Sequence, residues 1–482
     1  MGWELDNRQT RVGGCGLPSG ESRKAIVGSA LGSALEWADF TAYGAVSATV
    51  FPKLFFPTLD PATAILASFA TFGVGFVARP AGGVIFGLLG DRIGRRKVLL
   101  TTFLLMGLSS LLIGLMPPYA QIGFWAPLAI VLLRFLQGFA LGGESTGAQL
   151  FTMEHAPPDR RGLYGSFINV AAPFSLVLAN GMLFVISASM DSAAFERFGW
   201  RIPFLLSIVL MLVGLYMRAR VGETPAFKAL AAERERQGVA PGAAAQSATT
   251  PAPAPNGSPR LHMRTIVRLL LFWAAPASCF WIVNIYSIAW LGAHTTLSRK
   301  TVFGCVMMAN VISIASTVIG GASTDRFGRK PPLVVASLVM LAISTCYFPL
   351  LDTGSVVVIV IAMALFGGSI QAQSGILPAF FAEQFPTSTR YTGSALAYTG
   401  ANLLFAAPTP FVAAWIAQRS NGSSLGLTVL CVGLVAVSFI ALLLSPETRH
   451  VDLENFDRPI APPGKVAVSK VLAPASFVSG QQ

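Results

Sequence analysis

A run of about 20 apolar residues is the length of helix that crosses a bilayer, and this chain is built almost wholly from such runs. They lie near residues 25–50, 62–89, 98–116, 124–150, 163–188 and 200–217, then 265–293, 301–321, 332–350, 355–381, 391–416 and 425–444, separated by charged or proline-rich breaks. Of the 482 residues 53% are hydrophobic and only 12% charged, with a mean hydropathy of +0.63. The spacing predicts an all-α polytopic membrane protein with twelve transmembrane helices.

The formal charge of +12 is explained by its placement. With both termini cytoplasmic, Arg92, Arg95, Arg96, Lys97, Arg160, Arg161, Arg326, Arg329, Lys330 and every basic residue from Arg218 to Arg264 fall on inside loops. Outside loops keep little beyond Lys53, Arg197, Arg201, Arg299, Lys300 and Arg419. That asymmetry is the positive-inside rule, so the basic excess reports topology and no nucleic-acid partner is expected. The five cysteines are scattered without a C-x-x-C or a metal-like cluster, and neither a metal nor a cofactor is expected. Met1 to Gly20 is polar and glycine-rich, so the first span is expected to serve as its own insertion signal.

Internal repeats divide the spans into two sixes. "GLLGDRIGRR" begins at Gly87 and "GASTDRFGRK" at Gly321, 234 residues apart, each after the second helix of its half. "EHAPPDRR" from Glu154 and "EQFPTSTR" from Glu383 are 229 apart, each after the fourth helix. "GETP" and "PETR" close the halves, with Glu223 and Glu447 224 apart. The expected organisation is a cytoplasmic tail at 1–23, a six-helix bundle at 24–217, a cytoplasmic linker at 218–264, a second bundle at 265–444 and a tail at 445–482. The linker ends in an Ala/Pro/Ser tract that cannot build a core. Parallel halves of this kind suit a machine that rocks one bundle against the other around a central site.

The doubled G-x-x-x-D-R-x-G-R-[RK] is the signature of the major facilitator superfamily, and the chain resembles that family over roughly residues 24–450. "GSALEWADFTAYG", "GFVARPAGGVIFGLLGDRIGRR", "LRFLQGFALGGE" and "FGWRIPF" resemble its metabolite:proton symporters of bacterial inner membranes, above all the shikimate-type, organic-acid members. Ser33 and Ala38 stand where that family usually has Asn and an aromatic residue. The resemblance implies the major facilitator fold, two pseudo-symmetric six-helix bundles, in a multi-pass protein of the inner membrane.

Charges deep in the spans need a reason, since each costs at least about 2.5–3.5 kcal/mol at bilayer depth. Glu36 lies about 18 Å and Asp39 about 22 Å beyond Lys24, near the middle of a core about 30 Å thick. Glu36, Asp39 and Tyr43 share one helix face. Arg79 is equally deep in the second span, while Arg134 and Glu144 lie within the fourth, with Gln137 on the Arg134 face. Three carboxylates against two arginines leave one acid in excess, which a proton can neutralise. A static network that fixes helix register would use the same residues. A proton relay accounts better for carboxylates set beside arginine in the membrane. By resemblance the proton-coupling roles go to Asp39 or Glu36 and to Arg134, with Glu144 as a further candidate.

The second half carries polar and aromatic groups in place of mid-span charge. Trp281 and Asn284, Gln371 and Ser374, and Tyr398 and Asn402 are pairs that share faces. Helices 1, 4, 7 and 10 line the cavity in the superfamily, which favours Asn284 and Gln371 in the second half; the expected substrate contacts are Arg79, Arg134, Tyr43 and Gln137 from the first half. From the second they are Trp281, Asn284, Gln371, Tyr398 and Asn402. At the cytoplasmic face the resemblance implies a latch made of Asp91, Arg92, Gly94, Arg95, Asp325, Arg326, Gly328 and Arg329 together with Glu154, Arg161, Glu383 and Arg390. A carboxylate there can pair with arginine and with the positive end of a neighbouring helix.

No nucleotide-binding loop, H-E-x-x-H or nucleophile elbow is present, so no enzyme is expected. The reading that emerges is a monomeric secondary transporter, embedded in lipid, that imports a small organic acid with a proton by alternating access. Uptake of a zwitterion such as betaine or proline is the alternative, although the tail after Leu444 lacks the heptads of osmosensing members. A multidrug exporter or a transporter-like sensor fits less well, since the fifth span lacks the glycine-rich antiporter pattern and no signalling domain is appended.

Overall fold

The computed structural model describes residues 37–93, 95–142, 153, 156–157, 159–209, 212, 259–386, 389–420, 422–449 and 451, with side chains except at 87–88, 90–97, 99 and 259–262. The first tail, nearly all of the linker and the end of the second tail lie outside the described residues, as do Glu36, Gly94, Glu144 and Glu154.

Every expected span is helical where it is described. The first half holds α1 (37–49), α2 (Pro61–Ile93), α3 (Arg95–Leu115) and α4 (Trp125–Leu141), then α5 (Arg161–Ser189) and α6 (Gly199–Val209). The second half opens with α7, which runs from Pro259 through a π-helical turn at Ile282–Tyr286 to His294. It continues with α8 (Arg299–Phe327), α9 (Lys330–Asp352) and α10 (Val356–Ala382). It ends with α11 (Arg390–Arg419), which has its own π-helical turn at Asn402–Ala406, and α12 (Leu425–Leu443). Local chemistry sets several ends. The Ser298 hydroxyl accepts from the Thr301 backbone N–H to start α8, and Gly328, at φ +92°, stops it in a conformation that favours glycine.

The two halves repeat one pairing scheme. α4 packs on α2 and α3, while α10 packs on α8 and α9. Between the halves α5 lies along α8 and α10, and α2 lies along α11. The outer faces stay apolar: Val77, Val84, Leu104, Leu112, Ile319, Val335 and Val429 are all exposed. So large an apolar surface is the mark of a protein whose solvent is lipid.

Lipid gives helices no hydrophobic reason to associate, so close backbone approach and polar contacts must hold the bundle. Glycines provide the approach at matching places. A Cβ added at Gly138 would fall on the Gly75 carbonyl, and one at Gly142 on the Arg79 carbonyl. In the second half a Cβ at Gly320 would meet Ala372, and one at Gly375 the Thr317 carbonyl. Gly162 and Gly321 do the same for the crossing of α5 and α8 between the halves. Gly138→Val and Gly320→Val should therefore each force a crossing apart and destabilise the protein by about 1–3 kcal/mol. The check is thermal unfolding of the purified protein in detergent; an unchanged melting temperature in either variant would mean that its crossing is looser than described.

Candidate functional site

The deep charges of the first half converge. Asp39 on α1 accepts hydrogen bonds on one carboxylate oxygen from the Ser110 hydroxyl of α3 and on the other from the Gln137 amide of α4. Arg134 sits one turn before Gln137 and donates from Nη1 to the Gln137 Oε1 at 2.6 Å. Arg134 has no exposed surface, and its Nε and Nη2 have no hydrogen-bond partner among the described residues. The amide thus stands between acid and guanidinium, and no salt bridge joins Asp39 to Arg134 among the described residues.

Aromatic rings take up the faces of both guanidiniums. Arg134 lies 3.7 Å over Phe40, 4.1 Å over Tyr43 and 5.1 Å over Phe72. Arg79 lies 4.5 Å over Phe76, 4.6 Å over Phe40 and 5.9 Å over Trp37. A cation over a desolvated ring gains about 2 kcal/mol, which offsets part of its burial. Tyr43 is fixed by a 2.7 Å bond between its hydroxyl and Thr71. The second half reaches the cluster through Trp281, which stacks on Trp37 at 6.4 Å and meets Phe72 at 5.0 Å and Phe76 at 5.6 Å.

The other second-half candidates make contacts of their own, and Tyr398 also lies within the electrostatic reach of Arg79. Asn284, in the π-helical turn of α7, accepts from Asn310 at 2.7 Å and donates to the Phe280 carbonyl at 2.8 Å. Asn402, in the turn of α11, donates back to the Tyr398 carbonyl at 2.8 Å. Tyr398 rests against Trp273. Gln371 is buried with its Nε2 unmatched among the described residues. π-Helical turns gather at functional sites, and here each carries an amide.

At one end of the bundle the repeated loop motif ties the halves together. The Asp325 carboxylate accepts from the Gly162 and Leu163 backbone N–H groups at 2.8 and 2.9 Å, capping the start of α5 in the other half. Arg329 bonds Asp325 at 2.9 Å, Thr324 at 2.9 Å, and both oxygens of Glu383 at 2.9 and 3.1 Å. Arg390 donates to the Ala382 carbonyl, and Arg161 reaches the Val451 carbonyl. The Arg326 carbonyl accepts from Arg449. The first-half copies at Asp91, Arg92 and Arg95 lie in helical backbone.

Sequence reasoning missed Ser110, whose only signal is a pair of serines in an otherwise apolar run. It also gave no role to Glu447, visible only as a repeated position. That carboxylate binds the backbone N–H groups of Arg329, Lys330, Thr448 and Arg449 at 2.8 to 3.0 Å around the Gly328 turn. At the opposite end Glu196 bonds Lys53 of its own half at 2.8 Å and, across the halves, Arg299 at 2.7 Å. Cross-half ties thus stand at both ends, at Glu196–Arg299 and at Asp325, and Arg134 is fully buried.

Glu447 gives the motif end a pH response. Burial works against its charge, yet the N–H groups of Lys330, Arg329, Arg449 and Thr448 hold its carboxyl below the ordinary value of 4.5. Unfolded Glu447 takes up a proton more readily than folded Glu447, so the contribution is full above that ordinary value and is lost as pH falls through the lower folded one. Glu447→Gln should therefore lower stability at neutral pH by about 1–2 kcal/mol, discounted for partial exposure. Melting curves of variant and wild type should converge in acid; a gap that stays constant with pH would assign the loss to packing.

Known proteins match this architecture. Residues 25–408 and 301–480 match the model of the Major Facilitator Superfamily. The chain is 36% identical to the inner membrane metabolite transport protein YhjE of Escherichia coli over 90% of this chain and 97% of that protein. It is 34% identical to a glycine betaine/proline/ectoine/pipecolic acid transporter of Dickeya dadantii, over 91% of this chain and 86% of that one. With the shikimate transporter of Escherichia coli the identity is 33%, over 90% and 97%. Among solved structures, a partially occluded inward-open xylose transporter from Escherichia coli superimposes with a TM-score of 0.67 at 19% identity, covering 89% of this chain and 99% of that one.

Proposed function

We propose that this chain, which belongs to the major facilitator superfamily and is a metabolite transporter rather than an enzyme, imports a small organic anion together with a proton. One observation carries the reading: Arg134 is wholly buried at the centre with two guanidinium N–H groups unmatched among the described residues. A guanidinium donates through parallel N–H groups that fit a carboxylate, so the substrate's carboxylate supplies the missing partner. Asp39 stands one amide away and takes the proton, which removes the negative charge that would otherwise oppose the incoming anion.

Alternating access follows from the two sets of ties. Breaking the Glu196–Arg299 contact opens the centre to one side, and breaking the Asp325 contacts with Gly162 and Leu163 opens it to the other. The basic loops support a topology with the Asp325 end and both termini on the cytoplasmic side of a bacterial inner membrane. The bundles at 24–217 and 265–444 are the moving bodies. Asp91, Arg92, Gly94 and Arg95 repeat the latch in the first half.

A zwitterionic substrate is the second reading, favoured by the rings of Trp37, Phe40, Phe76 and Trp281. Such rings suit a quaternary ammonium, and proline and betaine name the cargo of one relative. Uptake into proteoliposomes of shikimate, simpler carboxylates, proline and glycine betaine, with and without a protonophore, separates the readings. Accumulation of a carboxylate that collapses with the protonophore is the expected result. Accumulation of glycine betaine alone would favour the second reading, and protonophore-insensitive uptake would overturn proton coupling.

Two variants test the assigned roles. Asp39→Asn should lose accumulation by at least about tenfold while retaining substrate exchange, because a neutral amide stands in for the protonated acid and cannot cycle. Arg134→Lys keeps the charge but loses the fork, so it should insert normally yet bind its substrate at least about tenfold more weakly. Pump-like accumulation by Asp39→Asn, or full affinity in Arg134→Lys, would move the role to another residue.

A further inference from the structure

We infer that Gln137 is a spacer: its amide keeps Asp39 and Arg134 from closing on each other, and that separation leaves Arg134 able to accept a carboxylate. The inference rests on the reading of Arg134 as the anion site, and it makes Gln137 a positioning residue rather than a substrate contact.

The chemistry fixes the orientation of the amide. A carboxylate such as Asp39 only accepts, and a guanidinium only donates, so the group between them must donate at one end and accept at the other. A neutral side-chain amide does this without adding charge. Nε2 therefore faces Asp39 and Oε1 faces Arg134, as the two hydrogen bonds record. Without the amide, the most favourable partner for Asp39 is the guanidinium itself, since a bidentate ion pair is stronger than neutral hydrogen bonds and is unscreened at this depth.

The surroundings permit that collapse. Asp39 is faced by Ser110 from α3 and by Gln137 and Arg134 from α4, with Tyr43 further along its own helix. Arg134 is faced by Tyr43 and Phe40 from α1 and, more distantly, by the charge of Arg79 from α2. Gly75 places only backbone beside the Arg134 Nε, where even a Cβ would come within 3.0 Å. A guanidinium held by one hydrogen bond and by the ring faces of Phe40, Tyr43 and Phe72 can turn toward the acid into the space that the amide vacates. The result would be a neutral, self-satisfied pair with no N–H groups left for an anion.

The test uses Gln137→Leu, which removes the amide tip, with Gln137→Ala as a second, shorter variant, each alone and combined with Asp39→Asn. Equilibrium binding of radiolabelled shikimate and of glycine betaine, both carboxylates, is measured on the purified full-length protein. Whichever probe binds wild type should bind Gln137→Leu at least about tenfold more weakly. It should return to the affinity of Asp39→Asn in the double variant, because the amide that replaces the Asp39 carboxylate has no charge with which to seize Arg134. A merely structural loss would not be repaired by a second substitution. In parallel, a cryo-electron microscopy structure of Gln137→Leu should show Arg134 hydrogen-bonded directly to Asp39. Unchanged affinity in both single variants, a double variant no better than the single one, or Arg134 still apart from Asp39 would each overturn the inference. If neither probe binds wild type, the position of Arg134 in the variant still decides whether Gln137 is a spacer.

Discussion

An ion deep in a membrane cannot be left to water, and the centre of this protein is organised around meeting that demand by degrees. Asp39 has both oxygens occupied by neutral donors, Ser110 and Gln137. Arg134 has its faces covered by Phe40 and Tyr43 and only one of its edges bonded. A direct ion pair would satisfy both groups at once and leave nothing for chemistry. Neutral donors and ring faces hold the charges in place while leaving each with capacity, the acid for a proton and the guanidinium for an anion.

That arrangement dictates how closely the helices must approach. The Asp39, Ser110 and Gln137 contacts join three helices, and the reach of a glutamine is short. α2 and α4 meet backbone to backbone through Gly75, Gly138 and Gly142, which brings Arg79 and Arg134 into one ring cluster. The same glycine crossing recurs between α8 and α10, where it frames amides instead of charges. One scaffold thus carries two chemistries, a charged half and a neutral half, joined at the centre by the stacking of Trp37 on Trp281.

Much of this was legible before any coordinates. Apolar run length marked every span, because bilayer thickness leaves helix length little freedom. Asp39 and Arg134 stood out because an ion is rare at that depth, and the shared face of Arg134 and Gln137 followed from helix geometry. What Gln137 touches was not legible, since periodicity gives a direction on one helix and says nothing of which neighbour lies there. Ser110 was hidden because a serine in an apolar run is usually bonded to its own helix, as Ser109 is to the Leu105 carbonyl. The π-helical turns in α7 and α11 leave no period in so uniformly apolar a segment. Glu447 was visible as half of a repeat, but its partners are backbone groups, which carry no residue signature.

The Asp325 cap on α5 has the same character, with a consequence for how such a latch evolves. Its acceptor is a side chain, but its donors are the main-chain N–H groups of Gly162 and Leu163. Every residue except proline presents that N–H, so the bond itself does not depend on which side chain stands at Leu163, whereas Gly162 is held to glycine by the close crossing with α8. Opposite Asp325 the sequence therefore shows no polar partner, only a glycine at Gly162. The polar half of this contact is thus written in Asp325 alone, while the other bundle contributes a backbone and the absence of a side chain at Gly162.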